Sequence, residues 1–289
     1  MLLALLSVLN LAPQAAAVSA PPTDEIVVQG ERQRTRVQKF VRQLTPAPFD
    51  GQLAKFLAPV CPASVGLLPQ QNKQVADRIR QVSKAIGADI APEGCTVNLL
   101  VLIVPDKKVA IQQLRGRRPD LFGDLPSVEI RHLESVPGPV TAWQLVDVIG
   151  SDGMPLGSAR LDATGDDIRI VRVVGTPSRI RKLTVPQFRG SVLIVETHAL
   201  DGISTRQLAD YAVMRTLASV REPSSALPAD SILTLFNPGV SGGSAPLSVT
   251  QWDYAFLKSY YASSNSVVAS SERHELQERM QKELQKQAP

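Results

Sequence analysis

The sequence predicts an α+β fold: a mixed sheet with packed helices, plus N- and C-terminal helical extensions. Three observations carry that expectation. Apolar residues recur three or four apart over residues 70–86 and 203–220, the period of an amphipathic helix. Residues 97–104, aliphatic apart from Asn98, form a run of the kind that suits a buried strand. Residues 140–149, 167–174 and 191–196 are further strand-like stretches set between turn signals. At 289 residues, 44% of them hydrophobic, the chain is long enough to bury a sizeable core.

The elements follow in chain order. Residues 2–12 are apolar except for Ser7 and Asn10, and small residues follow at Ala15, Ala16 and Ala17. That pattern reads as a secretory signal over 1–17, too short to span a bilayer, and it places the protein in the periplasm or outside the cell. Cleavage after Ala17 is preferred to cleavage after Ala20, where Pro21 would follow the cut. The stretch lacks the usual basic start, since residues 1–14 contain no lysine or arginine.

Residues 18–49 form an N-terminal extension. Residues 24–30 read as a short β-prone segment ended by Gly30, and 31–44 as a helix with Val37, Phe40, Val41 and Leu44 on one stripe. Arg32, Arg34, Arg36, Lys39 and Arg42 occupy the rest of that helix. Two readings fit: the stripe packs on the body and the cations face water, or the helix makes a peripheral contact with an anionic membrane.

Residues 50–262 form the predicted α+β domain. Its start, 45–69, is proline-rich and carries Cys61; helix 70–86 is stopped by Gly87, and Cys95 follows a Pro-Glu-Gly turn. In an exported chain two cysteines beside loops flanking one helix are expected to form a disulfide, which contributes on the order of 3–4 kcal/mol by constraining the unfolded chain. After the strand at 97–104, Pro105-Asp106 caps a helix from Lys107 to about Arg117. Residues 119–138 are turn-rich, and prolines at 223, 228, 238 and 246 break up the chain around the apolar run 232–236. Residues 250–261 read as a helix that the stretch from Ser263 to Ser266 ends. Residues 263–289 are a polar C-terminal helical extension with a thin stripe of Leu276, Met280 and Leu284, either docked on the core or held for a partner.

Composition excludes some partners. Thirty-one basic against 27 acidic residues leave +4, with 4% aromatics, so the chain lacks the broad basic, base-stacking face of a nucleic-acid binder. The expected partner is an unknown protein or another envelope component.

The candidate chemistry is thin. Gly239-Val240-Ser241-Gly242-Gly243 matches Gly-x-Ser-x-Gly, but Ser244-Ala245-Pro246 follows instead of the helix that a nucleophile elbow requires, so it reads as a loop. The three histidines, His132, His198 and His274, are dispersed, with none of the helical pairs that usually trace a zinc site. Glu196, His198 and Asp201 remain as a weak alternative ligand cluster at a strand end. No catalytic residue, metal or cofactor is assigned.

One stretch resembles a known family. Ser191-Val-Leu-Ile-Val-Glu196, followed by Ile203-Ser-Thr-Arg-Gln-Leu-Ala-Asp-Tyr-Ala-Val-Met-Arg-Thr-Leu217, resembles an uncharacterised family of exported alphaproteobacterial proteins. It is more distantly similar to the edge strand and active-site helix of zincin-like metallopeptidases. Residues 231–236 fall where metzincins place a turn beneath the metal, and residues 247–261 resemble their closing helix. The resemblance implies a zincin-like fold for 50–262. It also implies where ligands would lie: the His-Glu-x-x-His-x-x-Gly-x-x-His pattern falls on Gln207, Leu208, Tyr211, Met214 and Leu217. Every ligand position fails, and Leu208 replaces the carboxylate that would activate metal-bound water. Read without the resemblance, the same stretch is an ordinary buried helix in which Arg206, Asp210 and Arg215 either face water or pair, with Arg206 and Asp210 one turn apart. The expected function is therefore non-catalytic, a binding or structural role in the envelope. A metallohydrolase with an unorthodox metal site and a membrane-surface module are the competing expectations.

Overall fold

The computed structural model describes residues 23–45, 52–154, 156, 158–160, 169–171, 182–220, 231–237, 245–264 and 267–286. Its frame is a four-stranded mixed sheet built from β1 (Pro62–Val65), β2 (Leu99–Val104), β3 (Val140–Gly150) and β6 (Thr184–Glu196), in the order β1-β2-β6-β3. The first two junctions are parallel and β3 runs antiparallel to β6. A separate small hairpin pairs β4 (Ser158–Arg160) with β5 (Arg169–Val171).

Side chains alternate across a strand, so each central strand feeds two cores. On β6, Leu193 and Val195 join the main core while Val192 and Ile194 join a second cluster. On β2, Leu99, Val101 and Ile103 enter the main core and Leu102 and Val104 lie against the second. This two-sided demand explains why residues 99–104 contain only aliphatic side chains.

Two helices cover the second cluster: α3 (Lys107–Arg117) supplies Ile111, and α4 (Ser127–Ser135) supplies Ile130 and Leu133. Phe122 stacks on Trp143 there, and the indole N–H donates to the Leu121 carbonyl at 2.7 Å. The main core gathers α2 (Pro69–Ala85), α5 (Thr205–Thr216), α6 (Gln251–Ala262), α1 (Thr23–Leu44) and α7 (Ala269–Lys286). The Cys61–Cys95 disulfide is present, with the Cα atoms 6.1 Å apart and α2 between the two cysteines. Among the described residues, no helix is long and apolar enough to cross a membrane.

Several expectations are corrected. Residues 24–30 belong to α1 and form no strand. β-propensity is realised only against a neighbouring strand, and here the helix that follows satisfies the backbone locally instead. The turn-rich 119–138 contains a 3-10 turn at Pro119–Leu121 and then α4, because Ile130 and Leu133, three apart, have a sheet face to bury against. The apolar run at Ile232–Phe236, where the resemblance implies a turn, does form a 3-10 turn and needs no correction. β6 begins at Thr184, well before the expected 191–196, since its first half pairs with the far end of β3.

Both terminal helices dock on the core. Val37, Phe40, Val41 and Leu44 of α1 and Leu276, Met280 and Leu284 of α7 are all buried in the main cluster. The partner-held alternative for the C-terminal stripe is thus overturned: burying each of these side chains contributes about 1.5–3 kcal/mol, and α7 has no apolar face left over for a partner. A polar seam fixes its start. The buried carboxylate of Glu272 accepts the Leu53 N–H at 3.0 Å, and the Lys55 ammonium donates to the carbonyls of Tyr260, Tyr261 and Ser263 at the end of α6.

Candidate functional site

The helix α5 starts on a capping box. Ser204 Oγ accepts the Gln207 N–H at 3.2 Å, and Gln207 Oε1 accepts the Ser204 N–H at 3.1 Å. The other end of the Gln207 amide donates from Nε2 to the Pro246 carbonyl at 3.0 Å. Gln207 is therefore a splice between the start of α5 and the chain leading to α6. Leu208 and Met214 are buried in the main core, as is Leu217 just beyond the helix. Tyr211 is also buried, its ring edge-on to Phe236 with centroids 4.7 Å apart.

Of the options open for the charges of α5, Asp210 takes neither water nor Arg206. Asp210 bonds Arg78 of α2, not Arg206: Arg78 Nε and Nη2 donate to its two oxygens at 2.7 and 3.0 Å. Ser248 Oγ and the Val249 N–H complete its shell at 2.6 and 2.8 Å. The physical reason is burial. Arg206 is exposed, while Asp210 is wholly enclosed where α2 crosses α5, and an enclosed carboxylate requires a cation and donors that share its enclosure.

The 3-10 turn Ile232–Phe236, which carries Phe236, is held by a second buried carboxylate. Asp253 accepts from Ser231 Oγ at 2.6 Å, Ile232 N–H at 2.8 Å, Thr250 N–H at 3.1 Å and Thr250 Oγ1 at 2.9 Å. Burial pushes its carboxyl up to about 6, while those donors pull the other way.

An open space remains beside Tyr211. It is a cleft of about 260 Å³ bounded by Tyr211, Phe236, Asn237, His132 and the segment from Val136 to Val140. That segment is anchored by hydrogen bonds. The buried Lys107 ammonium donates to the Val136 and Gly138 carbonyls, and the Lys107 N–H donates to Glu196 Oε1 at 2.9 Å. Its wall is mainly hydrocarbon and ring, with one imidazole at the exposed rim.

No family model, no curated protein and no solved structure matches the chain.

Glu196 holds the start of α3, and its other oxygen lies 3.9 Å from His198 Nδ1. That imidazole is 70% exposed, and Asp201 points into water at the end of a 3-10 turn. The three do not form a ligand set. Among the described residues, no group of three or more His, Cys, Asp or Glu side chains is placed to hold a metal ion. The zinc that the zincin resemblance implies does not fit α5 either: an amide committed to two partners, an aliphatic chain in the core and a ring packed edge-on supply neither a cage for the cation nor a base. The Gly239–Gly243 match and the signal at 1–17 lie outside the described residues.

Sequence reading missed four of the residues that shape this region. Asp253 left a trace, since an acid three residues after Thr250 is a capping-box pattern. Arg78, Lys107 and Lys55 left none, because each finds its partners on elements distant in the chain.

Proposed function

We propose that this is an exported, non-catalytic protein with a binding or structural role in the cell envelope, built on a scaffold distantly similar to zincin-like metallopeptidases. The observation that carries this reading is the fate of α5. At the position of the general base stands Leu208, buried in the core, and the ligand positions are spent on structural contacts. An aliphatic side chain accepts no proton, and a caged amide cannot turn to a cation without breaking the cap of its own helix.

The disulfide supports an oxidising compartment, where such bonds persist. The cleft beside Tyr211 and Phe236 supports binding over pure structure. Tyr211 and Phe236 line it, and Lys107 holds the Val136 and Gly138 carbonyls of its wall segment.

The test is metal content and peptidase activity of the purified chain. The expected result is substoichiometric zinc after mild purification and no chelator-sensitive cleavage of a mixed peptide substrate. Stoichiometric zinc that is lost in His198→Ala, or cleavage that a chelator abolishes, overturns the reading in favour of a metallohydrolase.

A further inference from the structure

The Cys61–Cys95 disulfide bridges a loop that the backbone already ties to the body. On one side Val60 donates its N–H to the Asp89 carbonyl at 2.8 Å and accepts the Ala91 N–H at 3.0 Å. Asn98 closes the other side. Its Oδ1 accepts the Cys61 N–H at 2.7 Å, its Nδ2 donates to the Pro59 carbonyl at 3.0 Å, and its own N–H donates to the Cys61 carbonyl at 3.1 Å. Both ends of the loop carrying Cys95 are therefore bonded to residues 59–61 without help from sulfur.

The two cysteines differ in their surroundings. Cys61 is buried, whereas Cys95 is half-buried on a loop whose neighbouring Glu93, Gly94, Thr96 and Val97 are exposed. Arg80 of α2 stands beside the accessible one. Its Nη1 donates to the Ala91 carbonyl at 2.7 Å, which fixes the guanidinium, and its Nη2 lies 3.6 Å from Cys95 Sγ. A cation held against a sulfur favours the thiolate, and a favoured thiolate makes the bond easier to reduce. An open recess of about 630 Å³ beside Arg80, bounded also by Lys84, Asp89 and Ile90, leaves room for a partner to approach. A bond kept for stability alone needs neither the accessible sulfur nor the cation.

The geometry points to Cys61–Cys95 as a thiol–disulfide exchange site for a dithiol, with Cys95 as the sulfur attacked and Arg80 as the cation that holds its thiolate. One thiolate of the dithiol attacks Cys95 Sγ, and a new sulfur–sulfur bond forms there. The Cys61–Cys95 bond breaks, its electron pair leaves on Cys61, and that sulfur takes up a proton. The second thiolate of the dithiol then attacks its own partner sulfur in the mixed disulfide and expels Cys95 as a thiolate beside Arg80. The dithiol is oxidised by two electrons to a disulfide, and the two cysteines are reduced. The exchange is stoichiometric, draws on nothing in α5 and stands apart from the cleft beside Tyr211.

The test is equilibration of the oxidised full chain with glutathione redox buffers, and separately with dithiothreitol, followed by acid quench, alkylation and peptide mass mapping. Glutathione is expected to be trapped as a mixed disulfide on Cys95, and dithiothreitol to reduce the pair without denaturant. The reduced chain is expected to keep its far-ultraviolet circular dichroism. Attachment at Cys61, resistance to reduction until denaturant is added, or loss of the dichroism on reduction would each overturn the site. At pH 8.5 Arg80→Gln is expected to move the glutathione equilibrium about fivefold toward the disulfide, the effect of making one thiol tenfold less acidic, while Arg80→Lys stays near wild type. At pH 6, where both thiols are protonated, the three proteins are expected to converge. A shift as large at pH 6 would mean that Arg80 only holds the loop through Ala91, and no shift at pH 8.5 would remove it from the exchange; either result overturns the assignment.

Discussion

Single side chains decide much of what this molecule can do, and the buried ionised groups show it most directly. Arg78 and Asp210 satisfy each other where α2 crosses α5, with Asp210 fully enclosed. Arg78→Met leaves that carboxylate without its cation and is expected to cost about 3–5 kcal/mol in denaturant unfolding. The double variant Arg78→Met/Asp210→Leu is expected to recover most of it, since no charge is then stranded. A pairing of Asp210 with Arg206 predicts instead that Arg78→Met is harmless. Glu272 gives a pH dependence with a definite sign. Burial is the main cause that pushes its carboxyl from the ordinary 4.5 up to about 7. Folding therefore favours the protonated form, and the stabilisation is complete below 4.5 and lost as pH rises through 7. Lys55 contributes outside this window, because burial lowers its ammonium to about 8, and its effect falls between there and its ordinary 10.5. Asp253, pushed up to about 6, adds to the same decline at its acidic end. Glu272→Gln keeps an acceptor for the Leu53 N–H without the charge. It is expected to flatten the unfolding free energy between 4.5 and 7 and to exceed wild type at pH 8 by about 1–3 kcal/mol. An unchanged slope would show that Glu272 titrates as it does in the unfolded chain.

At the scale of elements, periodicity located most helices and context set their ends. The helix expected over 107–117 forms at Lys107–Arg117, and the one expected over 70–86 forms at Pro69–Ala85. Asp106 caps the first by accepting the Val109 N–H at 2.8 Å, and Gly87, at φ +88°, lets the chain leave the second. Such signals are local, so they are legible. Residues 24–30 and the turn-rich stretch before β3 were misread for the converse reason: whether β-prone or turn-prone residues find a strand partner or a sheet face is settled by distant chain. The C-terminal helix is the sharpest case. Its three apolar residues look too few for docking in a sequence, yet all of them are buried and Glu272 is bonded into the core. Truncation after Ser266 is expected to lower the melting temperature sharply or prevent folding. Met280→Ala alone is expected to cost about 2–4 kcal/mol, read by thermal or denaturant unfolding. A truncated chain that melts like the full one would mean that α7 does not pack as described.

For the molecule as a whole, composition and pattern determined the α+β class, the sheet-bearing runs, the disulfide partners and the residue types at Gln207, Leu208 and Tyr211 of α5. These follow from residue identity and short-range spacing, and no folding of the chain puts a carboxylate on Leu208 or an imidazole on Gln207. The tertiary structure alone decided which strands are neighbours, that the aliphatic β2 feeds two cores, and that both terminal helices belong to the main one. It alone chose Arg78 for Asp210 and set Lys107 against the wall of the cleft. The division has a single physical cause. A side chain carries its chemistry wherever it goes, but its partners, its burial and the energy of its charge depend on which distant segments the fold brings within a few ångströms of it.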